Sequence, residues 1–140
     1  MTAMSDYLET QIITHLFRTA TYTKPTVLAV ALCTVAPTDT DTGTLTGKEV
    51  SGGSYARVTL NPLDANWAAV SAGNGTTSNT PAITFAAATA DWSTVVAVAI
   101  CDATSSGNML FYGTLTGNKV VNNGDTFQFA AGQLSIQLDN

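Results

Sequence analysis

Two short apolar runs limit what this chain can fold into. Residues 26–33 read Thr-Val-Leu-Ala-Val-Ala-Leu-Cys, and residues 94–101 read Thr-Val-Val-Ala-Val-Ala-Ile-Cys. Each run is rich in β-branched residues and has the length of a strand, whereas a membrane helix needs about 18 or more consecutive apolar residues. The two runs therefore predict a pair of strands at the centre of the fold and no membrane-spanning segment.

The chain after residue 25 alternates such segments with turns. Turn-forming Gly, Asn and Ser gather at residues 52–53, 73–75, 105–107 and 122–125. Of the 140 residues, 45% are hydrophobic and only 11% are charged, so the chain is long enough and apolar enough to bury one core. We therefore predict an all-β fold, an antiparallel β-sandwich of about eight strands with one N-terminal α-helix. We expect a single domain over residues 1–140, with the sandwich at 26–138.

The last strand shows the pattern most clearly. Leu134, Ile136 and Leu138 alternate with polar residues, which is the period of a strand with one buried face. The predicted strands are 26–34, 55–60, 67–71, 82–86, 95–101, 109–115, 126–129 and 133–138.

The two apolar runs belong to a longer pattern of similar segments. Gly-Thr-Leu-Thr-Gly occurs at 43–47 and again at 113–117, and each copy is followed by a lysine, a valine and a glycine turn. Three matches in the same order favour two pseudo-repeated halves, although Thr-Val-Ala runs and Gly-Thr turns also arise by convergence in β-proteins. The repeat predicts equivalent central-strand positions for Cys33 and Cys101. Because both lie in apolar runs, we expect buried free thiols, with a disulfide as the alternative.

One helix is predicted, over residues 6–18. Asp6 is the expected N-cap, with Glu9 three residues later completing a capping box. Leu8, Ile12 and Leu16 form an i, i+4 stripe, which Ile13 and Phe17 widen. This face either covers one end of the sheet, which is the favoured interpretation, or docks onto a neighbouring subunit.

Groups that support catalysis or metal binding are scarce. The single histidine, His15, has no nucleophile or orienting group near it in sequence. The segment 39–43 starts like a calcium loop but has Val50 where the twelfth-position glutamate belongs, so an Asx-rich turn is expected. We therefore predict no enzyme activity, no catalytic residues, no cofactor and no metal site.

The surface composition points to protein partners. Five cations are scattered along a chain of net charge −5, so no basic stripe is available to follow a phosphate backbone, and neither nucleic acid nor a membrane is an expected partner. A surface with so few charges suits close packing between subunits. We select as candidate subunit-interface residues Leu8, Ile12 and Leu16 on the helix, and Asp39, Asp41 and Leu45 in the Thr-rich loop 35–48.

Several segments together resemble a family of small structural proteins of tailed bacteriophages, which are labelled tail-fibre-like or head-decoration proteins. The resembling segments are 5–9, 15–18, 49–57 (Glu-Val-Ser-Gly-Gly-Ser-Tyr-Ala-Arg), 90–92 and 123–132 (Asn-Gly-Asp-Thr-Phe-Gln-Phe-Ala-Ala-Gly). The resemblance implies a non-enzymatic virion protein that is made in the host bacterial cytoplasm.

The same resemblance leaves two positions in the virion open. Because the chain has neither heptads nor a shaft, it is expected to be a capsid decoration (cement) protein on the capsid outer surface. Its expected partners are the major capsid protein and itself, as a homotrimer. The alternative is a tail, baseplate or tail-fibre component that attaches to host-surface glycans through exposed aromatic residues.

Overall fold

The computed structural model describes residues 3–70 and 75–138. Within them the chain is mostly β, with a single helix, which confirms the predicted fold class. The elements are β1 (Ala3–Met4), α1 (Asp6–Phe17), β2 (Ala29–Cys33), β3 (Val58–Thr59), β4 (Thr76–Ser78), β5 (Ile83–Thr84), β6 (Ser93–Cys101), β7 (Met109–Val121), β8 (Gln128–Phe129) and β9 (Ser135–Gln137).

All strand pairs are antiparallel. The large sheet has the order β1-β7-β6-β2-β3, and two small sheets pair β4 with β9 and β5 with β8. One hydrophobic cluster joins the large sheet to both small ones through Val30, Leu32, Ile83, Phe129 and Ile136. The architecture is therefore sandwich-like, with β6 and β2 at the centre of the larger layer.

The opposite face of the large sheet is buried as well. Ala31, Cys33, Ala99 and Cys101 form a second cluster there, and Leu45 from the loop after β2 covers them. Every residue of β2 is buried, because successive side chains enter the two clusters alternately. This double burial explains why the strand is a continuous apolar run and not an alternating one.

β2 and β6 are related by a local two-fold axis. Their antiparallel register pairs Ala31 with Ala99, Ala29 with Cys101 and Cys33 with Ala97. Because the sequence repeat also equates Ala31 with Ala99, the axis passes between these two residues. Cys33 and Cys101 are both free, fully buried and at the carboxyl ends of equivalent central strands, as predicted.

The other two repeat matches are wrong as structural equivalences. Residues 43–47 lie in turns, whereas 113–117 lie inside β7. Val50 donates its N–H to Leu32 near the end of β2, but Val121 pairs with Ser93 at the start of β6. The connections differ because β6 turns back at once into β7, while β2 continues into the long loop. The repeat is thus limited to the central strand pair.

Several strands are shorter than predicted. The predicted strand 55–60 is reduced to β3, and 82–86, 126–129 and 133–138 shrink to two or three residues each. In the predicted strand 67–71, Trp67 makes one isolated bridge with Asn79, and residue 71 lies outside the described residues. Conversely, β7 extends to Val121 and pairs there with β6 beyond a large bulge.

The predicted helix is present, but its cap is not Asp6. Ser5 has extended backbone angles, and its hydroxyl accepts a hydrogen bond from the Leu8 N–H at 3.3 Å, so Ser5 is the N-cap. Asp6 already belongs to the helix, and Arg18 is the C-cap. Among the described residues no helix has the length and apolar character to cross a membrane.

Candidate assembly surface

The sequence segment 49–57 holds the loops at one end of the large sheet together. The guanidinium of Arg57, whose side chain is 3% exposed, donates to both carboxylate oxygens of Glu49 at 2.8 and 2.6 Å. It also donates to the backbone carbonyls of Gly43, Ala103 and Ser106. The planar fork of arginine suits such bidentate and multiple contacts. Arg57 therefore ties the loop after β2 to the β6–β7 turn.

Tyr55 completes this network. Its hydroxyl donates to Glu49 Oε1 at 2.9 Å and accepts from the Leu32 N–H at 2.8 Å. Burial, reinforced by the charge of Glu49, raises the pKa of Tyr55. Burial by itself lowers the pKa of Arg57, but the hydrogen bonds to Glu49 outweigh it and raise that pKa. Both groups keep one protonation state at neutral pH, so this cluster is structural.

The loop 35–48 is ordered by its own side chains. The Asp41 carboxylate accepts hydrogen bonds from the Thr38 N–H at 2.6 Å and from its hydroxyl at 3.0 Å, and it pairs with Lys48. Burial raises the pKa of Asp41, but the hydrogen bonds from Lys48 and Thr38 outweigh that effect and lower the pKa.

No group of three or more potential ligands for a metal ion is found in the described part of the chain.

The two segments chosen as interface candidates meet in space. The N–H of Asp6, at the start of α1, donates to the Asp39 carbonyl at 3.0 Å. Asp39 is exposed beside the helix, so both segments contribute to one surface. Leu45 does not belong to that surface: it is 2% exposed and packs on Cys33 and Cys101. The interface role predicted for Leu45 does not fit this placement, because its side chain fills the chain's own core.

The closest attachment of the helix to the sheet lies at its first turn. Ser5 donates its N–H to the Leu110 carbonyl at 3.0 Å and its hydroxyl to the Met109 carbonyl, and Leu8 is 5% exposed. Ile12 is half-buried, whereas Leu16 is 64% exposed. The favoured interpretation, in which the apolar face packs within the chain, therefore holds for Leu8 and fails for the second half of the helix.

His15 has a structural contact. Its Nδ1 accepts a hydrogen bond from the Tyr22 N–H at 3.3 Å, which brings the segment after the helix back along it. That segment then reaches the body of the protein through Lys24, whose ammonium donates to the Pro62 carbonyl at 3.2 Å. These contacts hold the chain between α1 and β2 in an exposed, extended path.

Beside this path lies an apolar groove of about 600 Å³. Its floor includes Ile100 and Phe111 from the large sheet, and its rim includes Leu63 and Val70. Trp67 stands in its wall, with its indole N–H donating to the Leu60 carbonyl at 3.1 Å. Leu63 and Val70 are 59% and 66% exposed. Sequence reasoning missed this groove because its lining comes from segments that are far apart in the chain and meet only on folding.

Five of the eleven aromatic rings contact one another in the interior. Tyr55 stacks near Phe85 and meets Trp92 edge-on, and Phe127 contacts both Phe85 and Phe129. These five rings lie in or against the cluster between the sheets. Because they pack in or against this cluster, these five rings are not available for stacking on a ligand.

Comparison with known proteins adds one finding. The family model Gp80, described as podophage GP4 fiber I protein gp80, matches residues 3–137. No curated protein sequence matches the chain. The family match confirms the resemblance to small tailed-phage structural proteins that are labelled tail-fibre-like.

Proposed function

Because this chain belongs to the podophage fiber I protein family over residues 3–137, we propose that it is a structural subunit of a fibre on the virion. Proteins of this structural family are generally non-enzymatic, which agrees with a role that depends on packing against other subunits. We propose both the position of the chain in the virion and its protein partners.

The observation that supports the proposal is a set of large apolar side chains that the folded chain leaves exposed. The second half of α1 and the rim of the groove expose Leu16, Phe17, Leu63 and Val70 by 59 to 77%. Large exposed apolar patches on soluble proteins mark interaction sites. Only 11% of the residues are charged, so few charged groups lose bound water when two subunits pack together. The desolvation free energy that opposes subunit contact is therefore small.

Capsid decoration is the second candidate, and the compactness of the chain favours it. The described helix is twelve residues long, which is too short to form a coiled-coil shaft. In that case the partner is the major capsid protein, and homotrimers clamp neighbouring capsid subunits. Compact subunits build a fibre without a shaft if they associate in series. The family description, which names a fiber protein, favours the fibre.

Glycan attachment by the fibre is a narrower possibility. Five aromatic rings contact one another in the interior, and the groove wall holds a further ring, that of the half-buried Trp67, on which a sugar could stack. A glycan site also needs polar groups beside the ring; Lys24 and Asp64 line the groove, but its floor of Ile100 and Phe111 is apolar. The groove therefore suits an apolar protein surface better than a sugar.

Labelling of the virion tests the proposed position. Antibodies raised against the purified chain, followed by immunogold electron microscopy of intact phage, are expected to mark fibres near the tail. Virions from a phage that lacks the gene serve as the control for antibody specificity. Label spread over the head would overturn the fibre proposal and support capsid decoration.

A further inference from the structure

The exposed half of α1 is a convex apolar surface with helical spacing. Ile13, Leu16 and Phe17 stand at i, i+3 and i+4 and are 56%, 64% and 77% exposed. This spacing is the one by which an amphipathic helix inserts anchors into a groove. Ser5 and Leu8 attach the first turn to the sheet, and these three side chains project beyond that attachment.

The groove beside Trp67 is the matching concave surface. It is open, mostly apolar and about 600 Å³ in volume, which is enough to take several large side chains. The helix of the same copy does not fill it, because Leu16 and Phe17 remain mostly exposed. Helix and groove together hold five of the large hydrophobic residues that the described chain exposes.

The charges at the two surfaces are also complementary. Arg18 follows Phe17 at the end of the helix, and Asp64 follows Leu63 on the groove rim. Within residues 3–70 and 75–138, the ion pairs are Lys48 with Asp41 and Arg57 with Glu49, so neither Arg18 nor Asp64 is paired. Lys24 on the groove likewise has the opposite charge to Glu9, one turn before Ile13.

We propose that α1 of one copy of this chain binds in the groove of a second copy, with Ile13, Leu16 and Phe17 as its anchors. This inference deepens the proposed structural function and rests on it. The contact is heterologous, since the helix of one subunit meets a different surface of the next. After one contact has formed, the first copy still has a free groove and the second copy still has a free helix, so such contacts generate rings or open chains of subunits. Serial contact of this kind lets a compact subunit build an elongated assembly.

Two variants of the purified full-length chain test the contact. A helix variant carries Leu16→Ser and Phe17→Ser, and a groove variant carries Leu63→Ser and Val70→Ser. Each is expected to weaken self-association by about 30-fold or more in sedimentation equilibrium, since central apolar anchors dominate interface energies. The matched control is Val120→Ser, because Val120 is 55% exposed but lies away from both surfaces. Circular dichroism checks that all variants remain folded.

Mixing the two variants gives the decisive result. The helix variant keeps an intact groove and the groove variant keeps an intact helix, so the mixture is expected to form a 1:1 complex that grows no further. If the groove variant associates as tightly as the unmodified chain, or if the mixture stays monomeric, the heterologous contact is wrong. An unmodified chain that is monomeric at millimolar concentration overturns it as well.

Charge reversal supplies a second readout. Arg18→Asp and Asp64→Arg are each expected to weaken association by a few-fold, and a chain that carries both is expected to recover, because exposed pairs contribute modestly. No recovery in the double variant contradicts this alignment of the helix in the groove. If the association tests fail but the immunogold label lies on the fibre, only the helix–groove contact is wrong and the proposed function stands. If the contact is confirmed but the label lies on the head, only the proposed fibre function is rejected.

Discussion

Arg57 lies where three segments meet at one end of the large sheet. It binds Glu49 through two hydrogen bonds and contacts the carbonyls of Gly43, Ala103 and Ser106. The segment 49–57 stands out in sequence without any catalytic pattern, and the structure shows that its charged residues serve to join loops. Such a buried ion pair is costly to break on one side, because the other charge is left without its partner.

We expect Arg57→Ala to lower the free energy of unfolding by about 3 kcal/mol, since Glu49 and three carbonyls lose a buried donor. Urea denaturation followed by fluorescence measures the change. Lys48→Ala is the matched control: it removes a pair whose side chains are 22% and 23% exposed, and it is expected to cost less than about 1 kcal/mol. Equal effects of the two substitutions would contradict a structural role specific to Arg57.

The two cysteines make stability depend on alkaline pH. Burial, followed by the charge of Glu49, raises the pKa of Cys33 to about 12, and burial raises that of Cys101 to about 11, from a usual 9.0. Above pH 9 the unfolded chain releases these protons while the folded chain keeps them. The free energy of unfolding therefore falls as pH rises through this window, by about 1 kcal/mol per pH unit for each thiol.

Urea denaturation at roughly pH 8.0 and roughly pH 10.5 measures this loss, because the first value lies below the usual thiol pKa and the second lies above it. A chain with Cys33→Ala and Cys101→Ala is the control, because other groups also titrate in this range. Its loss of stability between the two pH values is expected to be smaller than that of the unmodified chain. Identical losses would show that the buried thiols do not contribute.

At the scale of elements, α1 shows how local and tertiary effects divide. Its position and apolar stripe follow from sequence periodicity, but which side chains are buried depends on what packs against them. Ser5 serves both levels: it caps the helix through the Leu8 N–H and joins it to the carbonyl of Met109 on β7. Asp6, although a good cap residue by type, is already one position inside the helix.

We expect Ser5→Ala to cost about 1 to 2 kcal/mol of stability, because it removes an N-cap and a buried hydrogen bond. Asp6→Ala is the control and is expected to cost less than about 1 kcal/mol, through the helix dipole alone. Thermal or urea unfolding of the two variants decides between them. A larger effect at Asp6 would restore the cap predicted from the sequence.

The loop after β2 packs closely on the β6–β7 turn. The Gly43 N–H donates to the Gly107 carbonyl at 3.1 Å, and a Cβ on Gly43 would lie 2.4 Å from the Ser106 carbonyl oxygen. A Cβ on Gly117 in β7 meets nothing within 4 Å. The two glycines belong to the repeated Gly-Thr-Leu-Thr-Gly segments but have different surroundings.

Gly43→Ala is accordingly expected to destabilise the fold by about 1 to 3 kcal/mol through overpacking. Gly117→Ala is expected to change stability by less than about 1 kcal/mol. Differential scanning calorimetry of the two variants provides the comparison. Similar effects would contradict the close packing of Gly43 against the β6–β7 turn.

At the scale of the whole molecule, the two hydrophobic clusters are formed without the N-terminal arm, which consists of β1 and α1. Their residues run from Leu28 to Ile136, and none comes from β1 or α1. The arm is attached through two strand residues, the contacts of Ser5, the Asp6 hydrogen bond to the loop and the burial of Leu8. An element held so lightly contributes little to the core.

Removal of residues 1–25 is therefore expected to leave a folded β-structure with lower stability and reduced self-association. Far-ultraviolet circular dichroism and a cooperative urea transition measure the folding, and sedimentation measures the association. Loss of the cooperative transition would mean that the arm is part of the core. Retained association at full strength would argue against the helix as an interface element.

The sequence by itself determined the class of the fold and its central strands. Residues 29–33 and 97–101 are apolar at every position, and such runs bury both faces wherever they pair, so β2 and β6 were predictable. The helix followed from the spacing of its apolar residues, but its cap did not, since Asp6 was predicted and Ser5 caps it. The free, buried state of Cys33 and Cys101 followed from the same apolar runs.

Only the tertiary structure decided which apolar residues stay exposed and which polar ones are buried. Leu45 looked available in a Thr-rich loop, but it covers the sheet. Leu16 lies on a helix face for which both packing on the sheet and docking onto a subunit were open, and it is 64% exposed. The groove unites residues near 63–70 with Ile100, Phe111 and Ile136, which are far apart in the chain. Local propensity acts over a few residues, while burial depends on contacts between distant segments, and the candidate assembly surface is made of such contacts.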